Sequence, residues 1–269
     1  MKKKNIGIVG CGAIGRGVAL FIDKKLSAKA RVSALTDTNN RAALNLKHKL
    51  SSRPEIMTLK ENISKSDLVV EAASIGAAKN VLGQALLCKK DVVIVSVGVF
   101  VGNASIVSQA EKKGITVYVP SGAICGVDGF GALRMGKVKK VSLVTSKPPS
   151  GLLGADYLKR KKIKLTSLKK EKIIFKGGVK DAVRYFPKNI NIAATLSLAS
   201  EFKDIEICIK ADPNIKRNIH RIFIDSEQAR LNISIENIPS KSNPKTSALA
   251  ALSIQFLLKK IFSNFKVGS

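Results

Sequence analysis

The residues Asn5–Gly15 read Asn-Ile-Gly-Ile-Val-Gly-Cys-Gly-Ala-Ile-Gly, and this stretch decides the fold. Its first half is apolar and β-branched, which predicts a strand over Asn5–Val9. Three glycines follow with the spacing G-x-G-x-x-G, and the next residues, Ile14–Lys25, carry apolar side chains at helical spacing. A strand, a glycine turn and a helix in this order predict a βαβ unit whose turn approaches the phosphates of a dinucleotide.

The three glycines of this turn differ in what they make possible. Gly10 allows a tight turn, Gly12 lets the backbone approach a pyrophosphate, and Gly15 lets the helix pack closely on the strand. The amino end of the helix adds unpaired N–H groups and partial positive charge. Asp37 follows at the end of the next predicted strand, where it would bind the adenosine ribose hydroxyls. The predicted dinucleotide contacts in this region are Gly10, Gly12, Ala13, Ile14, Gly15 and Asp37.

The residues after the second strand leave the dinucleotide open between NAD and NADP. The Asp37 carboxylate would repel a 2′-phosphate, which favours NAD. Arg41 could neutralise such a phosphate, and a solvated side chain in the first turn of a helix is the alternative explanation for that arginine. The predicted cofactor is therefore NAD or NADP.

The alternation of strand and helix continues through the first 120 residues. Apolar β-branched runs alternate with helical segments, which is typical of a parallel sheet covered on both faces. The predicted strands are Asn5–Val9, Arg31–Thr36, Asp67–Glu71, Asp91–Ser96 and Thr116–Pro120, and the predicted helices are Ile14–Lys25, Asn40–Leu50, Ala77–Cys88 and Ala104–Lys113. We therefore expect an α/β fold whose first domain, residues 1–121, is a Rossmann-type doubly wound parallel sheet. Ligands of such sheets bind at the carboxyl ends of the strands, which adds Ala73 and Ser74 to the predicted contacts.

The pattern changes after Ser121, where shorter runs alternate between apolar and polar residues. This period of two predicts a second, α+β domain over residues 122–242 with a mixed or antiparallel sheet. The predicted strands are Lys140–Thr145, Lys172–Phe175, Ile205–Ala211, Arg221–Asp225 and Leu231–Glu236. We expect this domain to bind the substrate, to carry the catalytic groups and to form a homodimer through its open sheet face. Helices are predicted over Pro187–Ser200 and Thr246–Phe262, the latter within residues 243–269 and packing back on the first domain.

The chain is strongly basic, with 47 Lys and Arg against 19 Asp and Glu among 269 residues, a formal charge of +28. Such a charge suggests nucleic acid, a membrane surface or anionic small molecules as partners. An apolar content of 45% excludes a disordered basic tail, and no apolar run reaches the length of a membrane helix. Fifteen basic and two acidic residues lie between Arg134 and Lys180, so the excess is concentrated in the second domain.

The four cysteines are scattered, with no C-x-x-C pair among Cys11, Cys88, Cys125 and Cys208. Metal sites and disulfide frameworks use clustered cysteines, so neither is predicted. Lone thiols of this kind fit a reducing cytoplasm.

The two histidines lie in different surroundings. His48 is part of a lysine-rich helix and is expected at the surface. His220 directly precedes the predicted strand Arg221–Asp225. A histidine titrates near physiological pH and is the usual proton-transfer group, which makes His220 the candidate catalytic residue. An ordinary histidine at a strand edge is the alternative.

Several longer motifs resemble those of the L-aspartate dehydrogenase family. They are IGIVGCGAIG, DLVVEAAS, VIVSVGVF, VPSGAICGVDG, FPKNINIAATLSLA, DPNIKRNIH and ENIPSKSNPKTSALAALS, spread over residues 6–253. The resemblance implies NAD(P)-dependent oxidation of L-aspartate to iminoaspartate, which hydrolyses to oxaloacetate and ammonia or feeds quinolinate and NAD biosynthesis. It also implies that His220 is the catalytic histidine and that Ala123 and Asn189 contact the dinucleotide.

A dicarboxylic amino acid requires cationic groups or N–H donors for its carboxylates and a base for its amine. We expect His220 to be that base, either for the amine proton or for the water that hydrolyses the imine. Lys245 and Thr246, at the predicted start of the last helix, are candidate carboxylate ligands, with a helix cap and a solvated lysine as the alternative. Asn191 and Thr195 are expected to line the same pocket.

Three other classes of protein share some of these features. A dihydrodipicolinate-reductase-like imine reductase would carry paired histidines with a nearby lysine, which this sequence lacks, and a homoserine-dehydrogenase-like enzyme would differ in its C-terminal motifs. A nucleotide-sensing nucleic-acid-binding protein would use the basic stretch, which has few aromatic residues for stacking on bases. We therefore expect L-aspartate, iminoaspartate and oxaloacetate as partners, with product passed to quinolinate synthase, and neither nucleic acid nor membrane.

Overall fold

The computed structural model describes residues 3–103, 105–186, 191–240 and 243–268, with only the backbone for 240 and 243–246. The chain forms two compact units. The first consists of Met1–Pro120 and Ala251–Val267, and the second of Ser121–Ala250 with Gly268. Ala104, Asn189 and the other residues between these ranges lie outside the described part of the chain.

The first unit is built on a parallel sheet, which confirms the predicted Rossmann-type fold. Within the described residues its six strands are β1 (Lys4–Val9), β2 (Ala30–Thr36), β3 (Glu55–Ile56), β4 (Leu68–Glu71), β5 (Asp91–Ile94) and β6 (Val117–Tyr118). Their order is β3-β2-β1-β4-β5-β6, and every neighbouring pair is parallel. The order reverses direction at β1, where the carboxyl ends of the strands form a binding crevice in sheets of this kind.

Helices follow the strands of the first unit and supply its core. They are α1 (Ala13–Lys25), α2 (Asn40–Lys47), α3 (Leu59–Lys65), α4 (Ile75–Cys88) and α5 (Ser105–Lys113). Helix α1 packs Val18 and Ile22 against Ile6 and Ile8 of β1, all of them buried in one apolar cluster. The short helix α3 was not predicted from hydrophobic period, and it begins with a capping box in which Thr58 bonds to Glu61.

The second unit contains a mixed sheet and shorter helices, as predicted. Within the described residues its five strands are β7 (Val138–Lys147), β8 (Lys172–Gly177), β9 (Glu206–Ala211), β10 (Asn218–Ser226) and β11 (Arg230–Asn237), and its helices are α6 (Val127–Leu133), α7 (Asp156–Arg160), α8 (Val179–Tyr185) and α9 (Asn191–Ser200). The strand order is β11-β10-β7-β9-β8, with β7 and β9 parallel and the other pairs antiparallel.

The chain after β11 corrects one prediction. We expected a helix from Thr246, but residues 239–240 and 243–247 form two short antiparallel strands, β12 (Pro239–Ser240) and β13 (Asn243–Ser247). The last helix, α10, therefore begins at Ala248 and ends at Ile261. Its Ile254 and Leu258 are fully buried in the apolar cluster of the first unit, and this packing, which is non-local, sets where the helix lies.

The basic stretch of the second unit lies at the surface. The exposed cations from the end of α7 to the start of α8 are Lys159, Arg160, Lys161, Lys162, Lys164, Lys169, Lys170, Lys172, Lys176 and Lys180. Several of them flank β8, an edge strand of its sheet, where charged side chains discourage pairing with another chain. Within the described residues, no helix is both long and apolar enough to cross a membrane.

Candidate active site

The turn between β1 and α1 is shaped by its glycines. Gly10 has φ of +95°, and a Cβ there would lie 2.6 Å from the carbonyl oxygen of Ala72. A side chain on Gly15 would collide with the carbonyl oxygen of Gly10. Gly12, the N-cap of α1, differs, because no atom lies within 4 Å of the place its Cβ would occupy. This open space beside the first N–H groups of α1 is what a pyrophosphate needs.

Asp37 is fixed beside that turn. Its Oδ2 accepts a hydrogen bond from the Cys11 N–H at 2.6 Å, and its Oδ1 accepts one from the Asn39 N–H at 2.7 Å. The side chain is only half-buried, so it can still meet a ribose. Burial, together with the nearby Asp37 charge, raises the pKa of the Cys11 thiol to about 12, so the thiol stays protonated. Arg41, in the first turn of α2, is exposed.

A buried carboxylate, Glu71, holds the next two turns at the carboxyl edge of the sheet. Its Oε1 accepts from the Ala73 N–H at 2.8 Å and from the Ser96 hydroxyl at 2.8 Å. Its Oε2 accepts from the Ser96 N–H at 3.0 Å. The next residue along the first turn, Ser74, caps α4 by accepting the Ala77 N–H. Sequence reasoning missed Glu71, although an acidic residue closing an apolar strand is a recognisable signal.

In the second unit, the turn around Ala123 is tied to the end of the mixed sheet. The carbonyl oxygen of Ala123 accepts a hydrogen bond from Nδ2 of the buried Asn237 at 3.0 Å. The Asn237 Oδ1 in turn accepts from the Ser247 hydroxyl at 2.5 Å. The turn also needs its glycines, since Gly122 and Gly126 have φ of +68° and +77°. Ala123 is itself buried and lies where the family motif SGAICG runs.

His220 lies in the interior of the second unit, within β10 rather than at a strand edge. The side chain is 3% exposed, and its Nδ1 lies 3.0 Å from the hydroxyl oxygen of Thr145. Thr145 is paired directly with His220 across β7 and β10. Lys147, two residues further along β7 and 6% exposed, lies on the same face because side chains alternate along a strand. We call Thr145, Lys147 and His220 the polar corner.

The polar corner lies at one end of an otherwise apolar sheet face. The residues of β7, β9 and β10 that share this face are Val141, Leu143, Ile207, Ile209, Ile222 and Ile224, and all of them are buried. The polar corner therefore lies at the strand ends where the apolar core of the second unit gives way to polar side chains.

The two basic side chains of the corner perturb each other. Burial lowers the pKa of His220 to about 3, and the charge of Lys147 adds to that effect. The ring is therefore neutral throughout the physiological range. Burial also lowers the pKa of Lys147, to about 8. Sequence reasoning missed Lys147, because it lies among many lysines and only the strand pairing shows that it is buried beside a histidine.

The other residues predicted to contact cofactor or substrate lie in helices α1 and α9 and in strand β13. Ala13 and Ile14 are the first residues of α1. Asn191 is exposed at the start of α9, and Thr195 is buried in that helix, which packs against α6 and α8. Lys245 and Thr246 are in β13, so the prediction that they start the last helix is wrong, while their role as carboxylate ligands stays a prediction. Asn189 lies outside the described residues.

The remaining candidates for binding a metal ion or reacting with a substrate are His48, Cys125 and any cluster of metal-ligating side chains. Within the described ranges, no group of three or more His, Cys, Asp and Glu residues is placed to hold a metal ion. His48 is exposed, and its Nδ1 lies 3.2 Å from the Arg53 guanidinium. Cys125, in the turn after Ala123, is also exposed.

Two family models match consecutive parts of the chain, and the second extends into the part of α10 that belongs to the first unit. Residues 10–120 match the model of the homoserine dehydrogenase NAD-binding domain, and residues 128–261 match that of the aspartate dehydrogenase C-terminal domain. Curated relatives span essentially the whole chain. The L-aspartate dehydrogenases of Methanosarcina mazei and Methanocaldococcus jannaschii are each 40% identical, covering 98% of this chain and 99% of their own.

Solved structures agree with the sequence relatives. The crystal structure of aspartate dehydrogenase from Thermotoga maritima is 27% identical and superposes with a TM-score of 0.76, covering 99% of this chain and all of its own. The myo-inositol dehydrogenase of Lactobacillus casei superposes with a TM-score of 0.62 at 12% identity, covering 97% of this chain and 86% of its own. The second likeness concerns the fold alone.

Proposed function

This chain belongs to the L-aspartate dehydrogenase family, and from that premise we propose how its residues carry out the NAD(P)-dependent oxidation of L-aspartate. The product, iminoaspartate, hydrolyses to oxaloacetate and ammonia. The bound nicotinamide ring supplies the hydride acceptor for the substrate Cα. The full-length relatives favour this reaction over the imine-reductase, homoserine-dehydrogenase and nucleic-acid-binding alternatives.

The residues of the first unit fit a dinucleotide. The space at Gly12 would receive the pyrophosphate on the N–H groups of Ala13 and Ile14, because these N–H groups stand free at the start of a helix. Asp37 would bind the ribose hydroxyls while it holds the turn through Cys11. Ala73 and Ser74 would line the adjoining part of the dinucleotide site, kept in place by Glu71.

The observation that carries the catalytic proposal is the buried contact between His220 and Thr145. Thr145 occupies Nδ1 and leaves Nε2 for the substrate. If the Nδ1–H donates to the Thr145 hydroxyl, Nε2 carries a lone pair and can accept a proton. We assign that tautomer to the working enzyme.

His220 would act at two stages. It would first accept a proton from the substrate ammonium, since the amine must be neutral before hydride leaves Cα. After releasing that proton to solvent, it would orient the water that attacks the imine and accept a proton from it. The neutral ring is a weak base in the free protein, because its pKa is lowered to about 3. A dicarboxylate bound nearby adds negative charge and raises that pKa toward the working range.

The direct test follows absorbance at 340 nm with L-aspartate and either NAD or NADP. Replacing His220 with alanine should lower turnover by about 100-fold or more while leaving NADH affinity unchanged. His48→Ala is the matched control, since it removes the chain's second, exposed histidine and should retain full activity. Undiminished turnover in His220→Ala would remove this residue from the mechanism, and activity on alanine or glutamate but not aspartate would overturn the substrate.

We also propose that the enzyme forms a homodimer. A homodimer is supported by the sheet face opposite the polar corner, where Val144, Ile219 and Phe223 are only half-buried. A dimer in light scattering that dissociates when Phe223 is replaced by aspartate would support it, and a monomeric wild type would refute it.

Four free cysteines fit a cytoplasmic location.

We further propose that iminoaspartate passes to quinolinate synthase before water hydrolyses it. The test mixes both enzymes with excess unreactive carrier protein as a control. If quinolinate forms faster than free iminoaspartate in solution could supply it, the result would support direct transfer. A rate of quinolinate formation limited by free iminoaspartate would oppose it.

A further inference from the structure

The polar corner contains a lysine, Lys147, that the mechanism above does not use. Lys147 is buried on the same sheet face as His220, and the two side chains interact electrostatically, because the positive charge of the lysine depresses the histidine pKa. Lysine is rarely buried to this extent in a folded protein. Its position therefore calls for a role beyond solubility, unlike the exposed lysines between α7 and α8.

The stem of Lys147 is held against backbone. A Cβ built on Gly151, in the short 3₁₀ turn after β7, would lie 3.7 Å from Lys147 Cβ and 3.8 Å from its Cδ. The same point lies 3.7 Å from Oδ1 of Asn218, the first residue of β10. The aliphatic stem of Lys147 therefore lies close to the turn that follows its own strand.

The charge in this corner suits an anion. Burial lowers the pKa of Lys147 to about 8, so the ammonium form still dominates at neutral pH. An ammonium group on the same sheet face as the candidate catalytic histidine can bind a carboxylate through a charge-assisted hydrogen bond. His220 lies on the same face of β10, and the Asp212 N–H, just after β9, donates to the Lys147 carbonyl oxygen at 2.9 Å, while the Asp212 Oδ1 accepts the Asn214 N–H at 2.9 Å.

We propose that Lys147 is a specificity-determining residue that binds one carboxylate of the dicarboxylic substrate in the polar corner. This inference rests on the proposed function, and it gives Lys147 the role that the sequence suggested for Lys245 and Thr246. It also links binding to catalysis. A carboxylate on Lys147 offsets the charge that depresses the His220 pKa, so the bound substrate itself makes His220 a better base.

The probe is succinate, which has two carboxylates but no amine and cannot be oxidised at a C–N bond. Its binding to the holoenzyme with NADH is measured by calorimetry for the wild type and three variants. Lys147→Met removes the charge at similar length, and Lys147→Arg keeps a cation. Lys139→Met is the matched control, because Lys139 is an exposed lysine on the same strand.

We expect Lys147→Met to weaken succinate binding by about tenfold or more, with NADH affinity unchanged. Lys147→Arg should be intermediate, and Lys139→Met should match the wild type. In the wild type, succinate affinity should fall as pH rises above about 8, with proton uptake on binding, because the carboxylate favours the charged lysine. This measurement needs no variant, so it tests the inference even if Lys147→Met fails to fold.

Two results would overturn the inference: wild-type succinate affinity in a folded Lys147→Met, or succinate binding that takes up no proton between pH 7 and 9. Neither depends on turnover. An enzyme that oxidises aspartate but shows either result would keep the proposed function and lose the role of Lys147. A protein that binds succinate through Lys147 but oxidises no amino acid would do the reverse.

Discussion

The hydroxyl oxygen of Thr145 lies 3.0 Å from Nδ1 of His220, although 75 residues separate them in the chain. The contact exists because the two residues face each other across paired strands β7 and β10. The contact engages Nδ1 of the ring, and in the proposed mechanism, where Nε2 meets the substrate, Thr145 would be a positioning residue for the histidine.

Replacing Thr145 with valine should therefore lower kcat by about five- to tenfold, the equivalent of ~1 kcal/mol for one neutral hydrogen bond. The alkaline and acidic limbs of the kcat profile should also move, because the ring loses its fixed tautomer. Thr145→Ser keeps the hydroxyl and should stay near wild-type activity. Equal losses in both variants would mean that packing, not the hydrogen bond, is what matters.

The buried histidine should leave a signature in acid stability. Its pKa is about 3 in the folded chain and near 6.5 when unfolded, so the unfolded chain binds more protons between those values. Stability should fall as pH drops from about 6.5 toward 3, with a slope of up to about 1.4 kcal/mol per pH unit from this group. The measurement compares urea unfolding of the wild type and His220→Gln at pH 5 and 7.5. Parallel pH dependences of the two proteins would contradict the buried, neutral ring.

A substitution at Gly12 should affect NADH binding without affecting folding, because the space beside this residue is open. Gly12→Ala should fold with nearly unchanged stability, because no neighbour lies within 4 Å of the added Cβ, yet it should lose most NADH affinity. Gly17→Ala, in α1 and equally open, should bind NADH normally and gain about 0.4–1 kcal/mol of stability. The checks are NADH fluorescence titration and thermal unfolding. Normal NADH affinity in Gly12→Ala would place the pyrophosphate elsewhere.

The choice between NAD and NADP should depend on Asp37. We expect the wild type to prefer NAD, and Asp37→Ser to lower the kcat/KM ratio of NAD to NADP by about tenfold, because a carboxylate repels a 2′-phosphate. Arg41→Ala distinguishes the alternative. A selective loss of NADP activity in that variant would show that the arginine serves the phosphate, and no change would leave it as a solvated residue.

Glu71 should support the dinucleotide site without touching the chemistry. Glu71→Gln sets an amide N–H₂ against backbone N–H donors, so it should cost about 1–3 kcal/mol of stability and weaken NADH binding. Turnover at saturating cofactor should change little. Ser96→Ala removes only the hydroxyl donor and should be milder on both counts. A larger effect on kcat than on NADH affinity would argue that Glu71 acts on the substrate instead.

Much of the first unit follows from local sequence. The strand, the glycine turn and the helix of residues 5–25 each depend on nearby residues. Gly10 has a positive φ, and Gly15 packs against the carbonyl oxygen of Gly10. The apolar residues of α1 recur at helical spacing. The short elements were harder to predict. Strand β3 has two residues and α3 has seven, too few for a hydrophobic period to stand out.

From the amino-acid sequence alone, one glycine turn is predicted to bind a dinucleotide and His220 is the candidate proton carrier. Only the tertiary structure decided which groups surround that histidine. Strand pairing places Thr145 against the histidine and Lys147 on the same sheet face, and Glu71 bridges two turns because the ends of β4 and β5 lie side by side. The start of α10 was likewise set by strand pairing that displaced a helical pattern. The preference of a segment for helix or strand depends on nearby residues. The burial of a side chain and the identity of its contacts depend on which distant segments pair, and no short stretch of sequence contains that information.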